Sequence, residues 1–217
     1  MIREVVYLDY LDALLQADKF RCESIIGKLQ SQGVDIREIY IFIFQKALYK
    51  VGKLWEIREI SVAEEHIATQ ITDYLVTKVF AALQNKDKTN KKAIISCMEK
   101  EFHYIGAKMV SNIFELNGWV SYFLGSNTPA KDLIKFIDEK QPDVIAISFS
   151  IYMNYSRFIK ALNNIINHFP AQQIILGGQG LTGQLLEEFK MQYPSVKYFN
   201  SINDLDFYLQ QPEVINN

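Results

Sequence analysis

His103 is the residue of this chain with the clearest chemical capacity. In Glu101-Phe102-His103-Tyr104-Ile105-Gly106, an imidazole stands two residues after a carboxylate and three before a glycine. A neutral imidazole nitrogen binds a transition metal, and a carboxylate bonded to the other nitrogen fixes which one carries the proton. A lone loop histidine is equally compatible with a structural or merely exposed role. Two further groups could share its site. Ser148, in Ser148-Phe149-Ser150, could hydrogen-bond a ligand or cap a helix. Gly177-Gly178 marks either a wall that must carry no side chain or a turn that needs positive φ. The string Gly178-Gln179-Gly180-Leu181-Thr182-Gly183 has the G-x-G-x-x-G form of a dinucleotide site. It follows the fourth predicted strand rather than the first, and Tyr198 stands where an acidic ribose-binding residue belongs, which argues against that use.

The elements that must position these groups follow from periodicity. Strands are predicted at Ala93–Met98, Trp119–Leu124, Val144–Phe149, Gln173–Leu176 and Lys197–Phe199. Helices are predicted after each, at Tyr104–Asn117, Pro129–Lys140, Asn154–Phe169, Thr182–Gln192 and Ile202–Gln210. Such alternation implies a flavodoxin-like, five-stranded parallel sheet with helices on both faces, in the order 2-1-3-4-5. The crevice of that order opens between strands one and three, where His103 and Ser148-Phe149-Ser150 leave the sheet.

Ahead of the sheet the chain reads as four helices. The first covers Arg3 to Ala17, and Asp18 caps a second that Gln32-Gly33 ends. Asp35 caps a third, in which the β-prone stretch Tyr40–Phe44 is read as buried helix because its flanks are periodic. Ser61-Val62-Ala63-Glu64 has the form of a capping box and opens a fourth, to about Leu83. Short connections make these an up-down bundle. Asn85 to Lys92, lysine-rich and without an apolar residue, reads as a linker, so that the expected domains are 1–88 and 89–217.

Composition narrows the function classes. A chain of 217 residues with 49% hydrophobic content can bury substantial cores, and a net charge of −2 marks it for neither nucleic acid nor anionic membrane. No apolar run is long enough to span a bilayer, and Met1-Ile2-Arg3-Glu4 lacks a signal-peptide pattern. Two cysteines, Cys22 and Cys97, make no disulfide framework. A cytoplasmic protein is the expectation.

The acid-x-histidine-x-x-glycine turn, the serine 45 residues after the histidine and the glycine pair from 74 residues after it form a set. From Ala93 to about Phe199 this set resembles the cobalamin-binding domain of methionine synthases, mutases and cobalamin photoreceptors. Asn117-Gly118-Trp119, and Leu124-Gly125 followed by Pro129, also look like that family. The resemblance implies that the dimethylbenzimidazole arm leaves cobalt and enters the sheet crevice, while His103 becomes the lower axial ligand. Glu101 would orient His103, Gly106 would complete the turn, and Ser148 would hydrogen-bond the displaced base. Ser150 would line its channel, and Gly177-Gly178 would let the base approach the backbone. The chain departs from the family pattern at Lys100, where glycine is frequent, and at Ser150, where leucine is common.

Trp55 precedes Glu65-His66 by ten and eleven residues. Taken alone, Trp55 suits a core aromatic and Glu65-His66 a solvated helix face. The tryptophan-x9-glutamate-histidine pattern resembles the helical cap of CarH-type photoreceptors and the related photocobilins. The resemblance implies adenosylcobalamin with Trp55 and Val62 against the adenosyl group, and Glu65 and His66 in the same cap site. It implies a light sensor without catalysis. In CarH-type proteins a histidine beside the tryptophan takes the vacated cobalt position after illumination. Glu56 stands there instead, so no such bis-histidine adduct is expected unless His66 or His168 supplies the ring. No DNA-binding segment is evident, so nucleic-acid binding is not expected. Output would run through light- or ligand-dependent homo-oligomer assembly or an unknown protein partner. Photocobilins also carry a bilin such as biliverdin, which Tyr40, Phe42, Phe44, Tyr49 and Trp55 could help house; as bundle core these rings need no ligand. The alternative is a corrinoid methyl-carrier protein working with partner methyltransferases. A cobalamin buffer or chaperone is a third reading. A mutase subunit is disfavoured because the substrate barrel is missing.

Overall fold

The computed structural model describes residues 2–82 and 89–211. The chain divides into two compact units, Met1–Gln84 and Asn85–Asn217. Of the linker expected over Asn85–Lys92, residues 85–88 lie outside the described residues, as does Leu83, the expected end of the fourth helix.

The first unit is helical: α1 (Glu4–Leu15), α2 (Lys19–Ser31), α3 (Ile36–Ile39), α4 (Lys46–Glu56) and α5 (Val62–Ala81). A π-helical stretch, Tyr40–Gln45, joins α3 to α4 without a break, so the four expected helices are present. Their starts are set by side chains that accept from otherwise unpaired backbone N–H groups. Asp18 accepts from Arg21 N–H at 3.0 Å and Asp35 from Arg37 N–H at 2.7 Å. At α5 the capping box forms in both directions, Glu64 N–H to Ser61 Oγ at 3.2 Å and Ser61 N–H to the Glu64 carboxylate at 2.7 Å. Ile36, Ile39, Tyr40, Ile43, Phe44, Ala47, Val51 and Leu54 form one buried stripe through the α3–α4 rod, and Tyr10, Leu14, Ile26 and Leu75 are buried in the same unit, with the Tyr10 and Phe44 rings 5.8 Å apart. The β-prone Tyr40–Phe44 segment is helical because that stripe gives it a face to bury.

In the second unit, β1 (Lys92–Cys97), β2 (Val120–Phe123), β3 (Val144–Ser148), β4 (Gln173–Gly177) and β5 (Val196–Tyr198) form a parallel sheet in the order β2-β1-β3-β4-β5. Between them run α6 (Ile105–Leu116), α7 (Ala130–Lys140), α8 (Tyr155–His168) and α9 (Gly183–Gln192), with α10 (Ile202–Leu209) last. Alternate strand residues face opposite ways. Ile94, Ile145, Ile147, Ile174 and Leu176 share a core with Leu133 and Ile137 of α7, Phe158 and Leu162 of α8, and Phe189 of α9. On the other face α6 packs on β1, β2 and β3 and meets α10. Asn117 fastens that corner, donating to Asp206 at 2.7 Å, while Gly118 turns with φ +84 into the buried Trp119. The expected fold class, a helical bundle followed by a doubly covered five-stranded sheet, is borne out.

Candidate functional site

β1 ends at Cys97 and the chain turns before α6. Glu101 N–H donates to the Met98 carbonyl at 2.9 Å, and Lys100 between them has φ +67. This is the geometry of a type II turn, whose third residue needs positive φ. A glycine would meet this backbone demand freely; the lysine here meets it at a cost.

The turn delivers Glu101 inward and His103 outward. Glu101 is 1% exposed, and its carboxylate accepts four hydrogen bonds. One oxygen takes His103 N–H at 3.0 Å and His103 Nδ1 at 2.7 Å. The other takes the backbone N–H groups of Ser150 at 2.9 Å and Ile151 at 3.0 Å. Burial pushes this carboxyl's pKa up, but the His103 ring and the backbone donors outweigh burial and hold it below its ordinary value. An ionised carboxylate thus ties the loop after β1 to the loop after β3, across the crevice. With Nδ1 committed to Glu101 as donor, Nε2 is the nitrogen with which His103 would bind a metal. The side chain is half exposed, so a ligand can reach it.

Ser148 is the last residue of β3, paired with Cys97 on one side and Gly177 on the other. It caps no helix: the 3-10 turn Tyr152–Asn154 separates β3 from α8. Its side chain hydrogen-bonds Cys97, whose thiol is pushed up to about 12 by burial first and by Glu101 second. That thiol donates to the His103 carbonyl at 3.7 Å. Ser150 contributes its backbone N–H to Glu101, which is why the family's leucine can be exchanged here without breaking the tie.

The glycines separate into two kinds. At Gly178 φ is +108, and a Cβ would lie 2.2 Å from the Phe149 carbonyl oxygen; at Gly180 it would lie 2.4 Å from the Phe149 ring. Both follow from the chain's own packing, and Tyr198 donates its hydroxyl to the Gly178 carbonyl at 2.8 Å. This accounts for two of the dinucleotide-like glycines without a nucleotide. Gly106 and Gly177 differ. A Cβ at Gly106 meets nothing within 4 Å, and at Gly177 only the Phe199 carbonyl at 3.6 Å, with neither in the positive-φ region. The fold leaves these two spaces beside the crevice open.

The residues present fit a metal enclosed in a macrocycle. Such a metal needs one protein donor, and His103, half exposed and fixed at Nδ1 by Glu101, is one donor. Among the described residues no group of three or more histidine, cysteine or carboxylate side chains could hold a bare ion. Phe102, Tyr152 and Met153 leave the same edge of β1 and β3 with large apolar side chains exposed, 60%, 62% and 92%. Sequence reasoning passed over them as loop residues; the signal was three large apolar side chains in two short loops at one sheet edge.

Trp55, Val62, Glu65 and His66 belong to the helical unit and flank the connection from α4 to α5. Trp55 is not core: it is 42% exposed, and Ile57, Val62 and Ile67 are exposed around the same connection. Glu65 accepts from Thr69 Oγ1 at 2.7 Å, and His66 is well exposed with Nε2 3.7 Å from Glu65. Of the rings considered for a bilin, Tyr40 and Phe44 are fully buried bundle core, whereas Phe42, Tyr49 and Trp55 face outward.

Two family matches fall on the two units separately. Residues 91–192 match the family described as B12 binding domain, and residues 7–79 match a second family of that description. The HTH-type transcriptional repressor CarA of Myxococcus xanthus is 25% identical over 132 residues, covering 61% of this chain and 46% of that protein. The chain thus spans about half the length of this relative. The monomethylamine corrinoid protein of Methanosarcina barkeri superposes with a TM-score of 0.75 at 15% identity, over 95% of this chain and 98% of that one. At that identity the likeness is one of fold. Taken together, the matches support a cobalamin-binding family and a cobalamin cofactor.

Proposed function

We propose that this chain, cobalamin-binding by both of its matched regions, holds its corrinoid with the benzimidazole arm displaced and His103 as lower cobalt ligand, and serves as a methyl-carrying corrinoid protein. The observation that carries this reading is the buried Glu101 carboxylate, bonded at once to His103 Nδ1 and to the far loop of the crevice. When bound, cobalamin would supply a metal with a weak, exchangeable bond to carbon. Around it His103 would ligate through Nε2, Glu101 would keep the proton on Nδ1, and Ser148 and Ser150 would meet the displaced base. Gly106 and Gly177, where the fold leaves space, would give it backbone to lie against, while Gly178 serves the turn itself. In this reading partner methyltransferases supply the chemistry on the substrate. Correspondence of both units with the monomethylamine corrinoid protein supports the carrier role.

A second reading, an adenosylcobalamin-dependent light sensor, is favoured by one specific observation. Trp55 and Val62 are exposed apolar side chains, and Trp55 precedes Glu65-His66 in the spacing of the photoreceptor cap. In this reading they contact an adenosyl group, output is self-association or a protein partner, and a bilin is an additional ligand. Glu56 stands beside Trp55 where that reading would use a histidine, so a bis-imidazole product is not expected unless His66 or His168 supplies the ring. Among the described residues no helix is long and apolar enough to cross a membrane; a cytoplasmic location is part of either proposal.

One experiment separates them. The protein is loaded in darkness with methylcobalamin or adenosylcobalamin, and its absorption spectrum and size-exclusion elution are recorded before and after illumination. The carrier binds methylcobalamin with a histidine-ligated spectrum and keeps its elution volume in light. The sensor prefers adenosylcobalamin and changes assembly state when lit. Uptake of neither corrinoid overturns both.

A further inference from the structure

We infer that Asn127 and Asn154 are positioning residues for the Glu101–His103 pair, acting by clamping Lys100 in a left-handed conformation that lysine disfavours. The inference rests on the reading of His103 as a cobalt ligand only for its consequence; the clamp itself belongs to the unloaded protein. Lys100 sits immediately before Glu101 at φ +67, with a side chain that disfavours that region. Three hydrogen bonds hold it. Lys100 N–H donates to Asn127 Oδ1 at 2.9 Å, and Asn154 Nδ2 donates to the Lys100 carbonyl at 3.0 Å. Asn127 N–H donates to the Glu101 carbonyl at 2.9 Å.

Asn127 lies in the loop after β2 and Asn154 in the 3-10 turn after β3, so the peptide groups on either side of Lys100 are gripped from both neighbouring strands. Asn127 itself has φ +56, which asparagine tolerates better than most residues. Beyond the turn, nothing but Glu101 and Phe102 separates the clamp from His103. If the turn relaxes toward the φ that lysine prefers, the Glu101 carboxylate rotates away from Ser150, Ile151 and His103 Nδ1 together. The ring then loses the bond that selects its tautomer. Where the family uses glycine, the conformation needs no clamp; here two asparagine side chains replace that freedom.

The test compares Asn127→Gly/Asn154→Ala with the same pair in a Lys100→Gly background; glycine at 127 removes the side chain without straining φ. In the unloaded protein, ¹⁵N-histidine NMR reads the tautomer of His103. Wild type should show the proton on Nδ1, the asparagine pair should show a mixture, and adding Lys100→Gly should restore the single form. In the loaded protein, cobalamin affinity should fall about 10-fold in the pair, as for other residues that orient a metal ligand, and recover with Lys100→Gly. Wild-type tautomer and affinity in the asparagine pair would overturn the inference. So would a loss that Lys100→Gly does not recover. Should the pair fail to fold, removing the asparagines from Lys100→Gly decides alone: an unchanged His103 supports the clamp, a disturbed one refutes it. If wild type takes up no corrinoid, or His103→Ala binds it equally well, the functional reading fails while the NMR comparison still judges the clamp.

Discussion

Glu101→Gln keeps the shape of a buried side chain and reverses half of its chemistry. An amide offers one acceptor oxygen and one donor nitrogen, so it cannot accept from His103 on one side and from Ser150 and Ile151 on the other. Leaving two buried N–H groups facing a donor should destabilise the protein by about 2–4 kcal/mol, measurable by urea unfolding. His103→Ala should cost less, about 1–2 kcal/mol, because it removes the ring's bond to Glu101 but leaves the three backbone donors in place, and it should abolish the histidine-ligated corrinoid spectrum. A pair of adjacent variants, one structural and one functional, separates ligation from folding. Loss of the spectrum in neither would remove His103 from the site.

At the scale of elements, the exit of β4 makes the same separation with backbone. Gly178→Ala places a Cβ 2.2 Å from the Phe149 carbonyl at a φ of +108 and should cost more than about 3 kcal/mol or prevent folding. Gly177→Ala meets only the Phe199 carbonyl, at 3.6 Å, so thermal unfolding should shift little while corrinoid affinity falls if the displaced base lies there. Equal stability loss in both would mean that the pair serves the fold alone. Most of this architecture was legible beforehand because it rests on periodicity: five apolar runs fix five strands, and the helix starts follow from Asp18, Asp35 and the Ser61–Glu64 box. What was not legible is what depends on a single φ or on three-dimensional exposure. No local rule places a lysine in the left-handed region, because the clamp on Lys100 comes from residues 27 and 54 positions away. Trp55 follows Leu54 on the apolar side of its helix, so a core role fitted its position in the sequence; its 42% exposure depends on how α4 ends. The carboxylate–histidine pair was legible, its tie to Ser150 and Ile151 was not.

For the molecule as a whole, the decisive quantity is which of the two units a corrinoid stabilises. Each has its own buried core, Tyr10, Ile43, Phe44 and Leu75 in one and Ile94, Ile145, Phe158 and Phe189 in the other. Calorimetry of the unloaded chain should therefore resolve two unfolding transitions, and Ser61→Ala, which removes a helix cap worth about 1 kcal/mol, should identify the helical one. A ligand present at a hundred times its dissociation constant adds ~2.7 kcal/mol to whatever it binds. If His103 and the crevice are the whole of the site, methylcobalamin and adenosylcobalamin should raise the sheet unit's transition alike and leave the helical one in place. If the adenosyl group is held by Trp55 and Val62, adenosylcobalamin should raise both transitions, and Trp55→Ala should cancel the helical shift while sparing the other. A helical shift that methylcobalamin produces equally, and that Trp55→Ala leaves intact, would argue against any adenosyl-specific role for that tryptophan and leave the carrier as the better account.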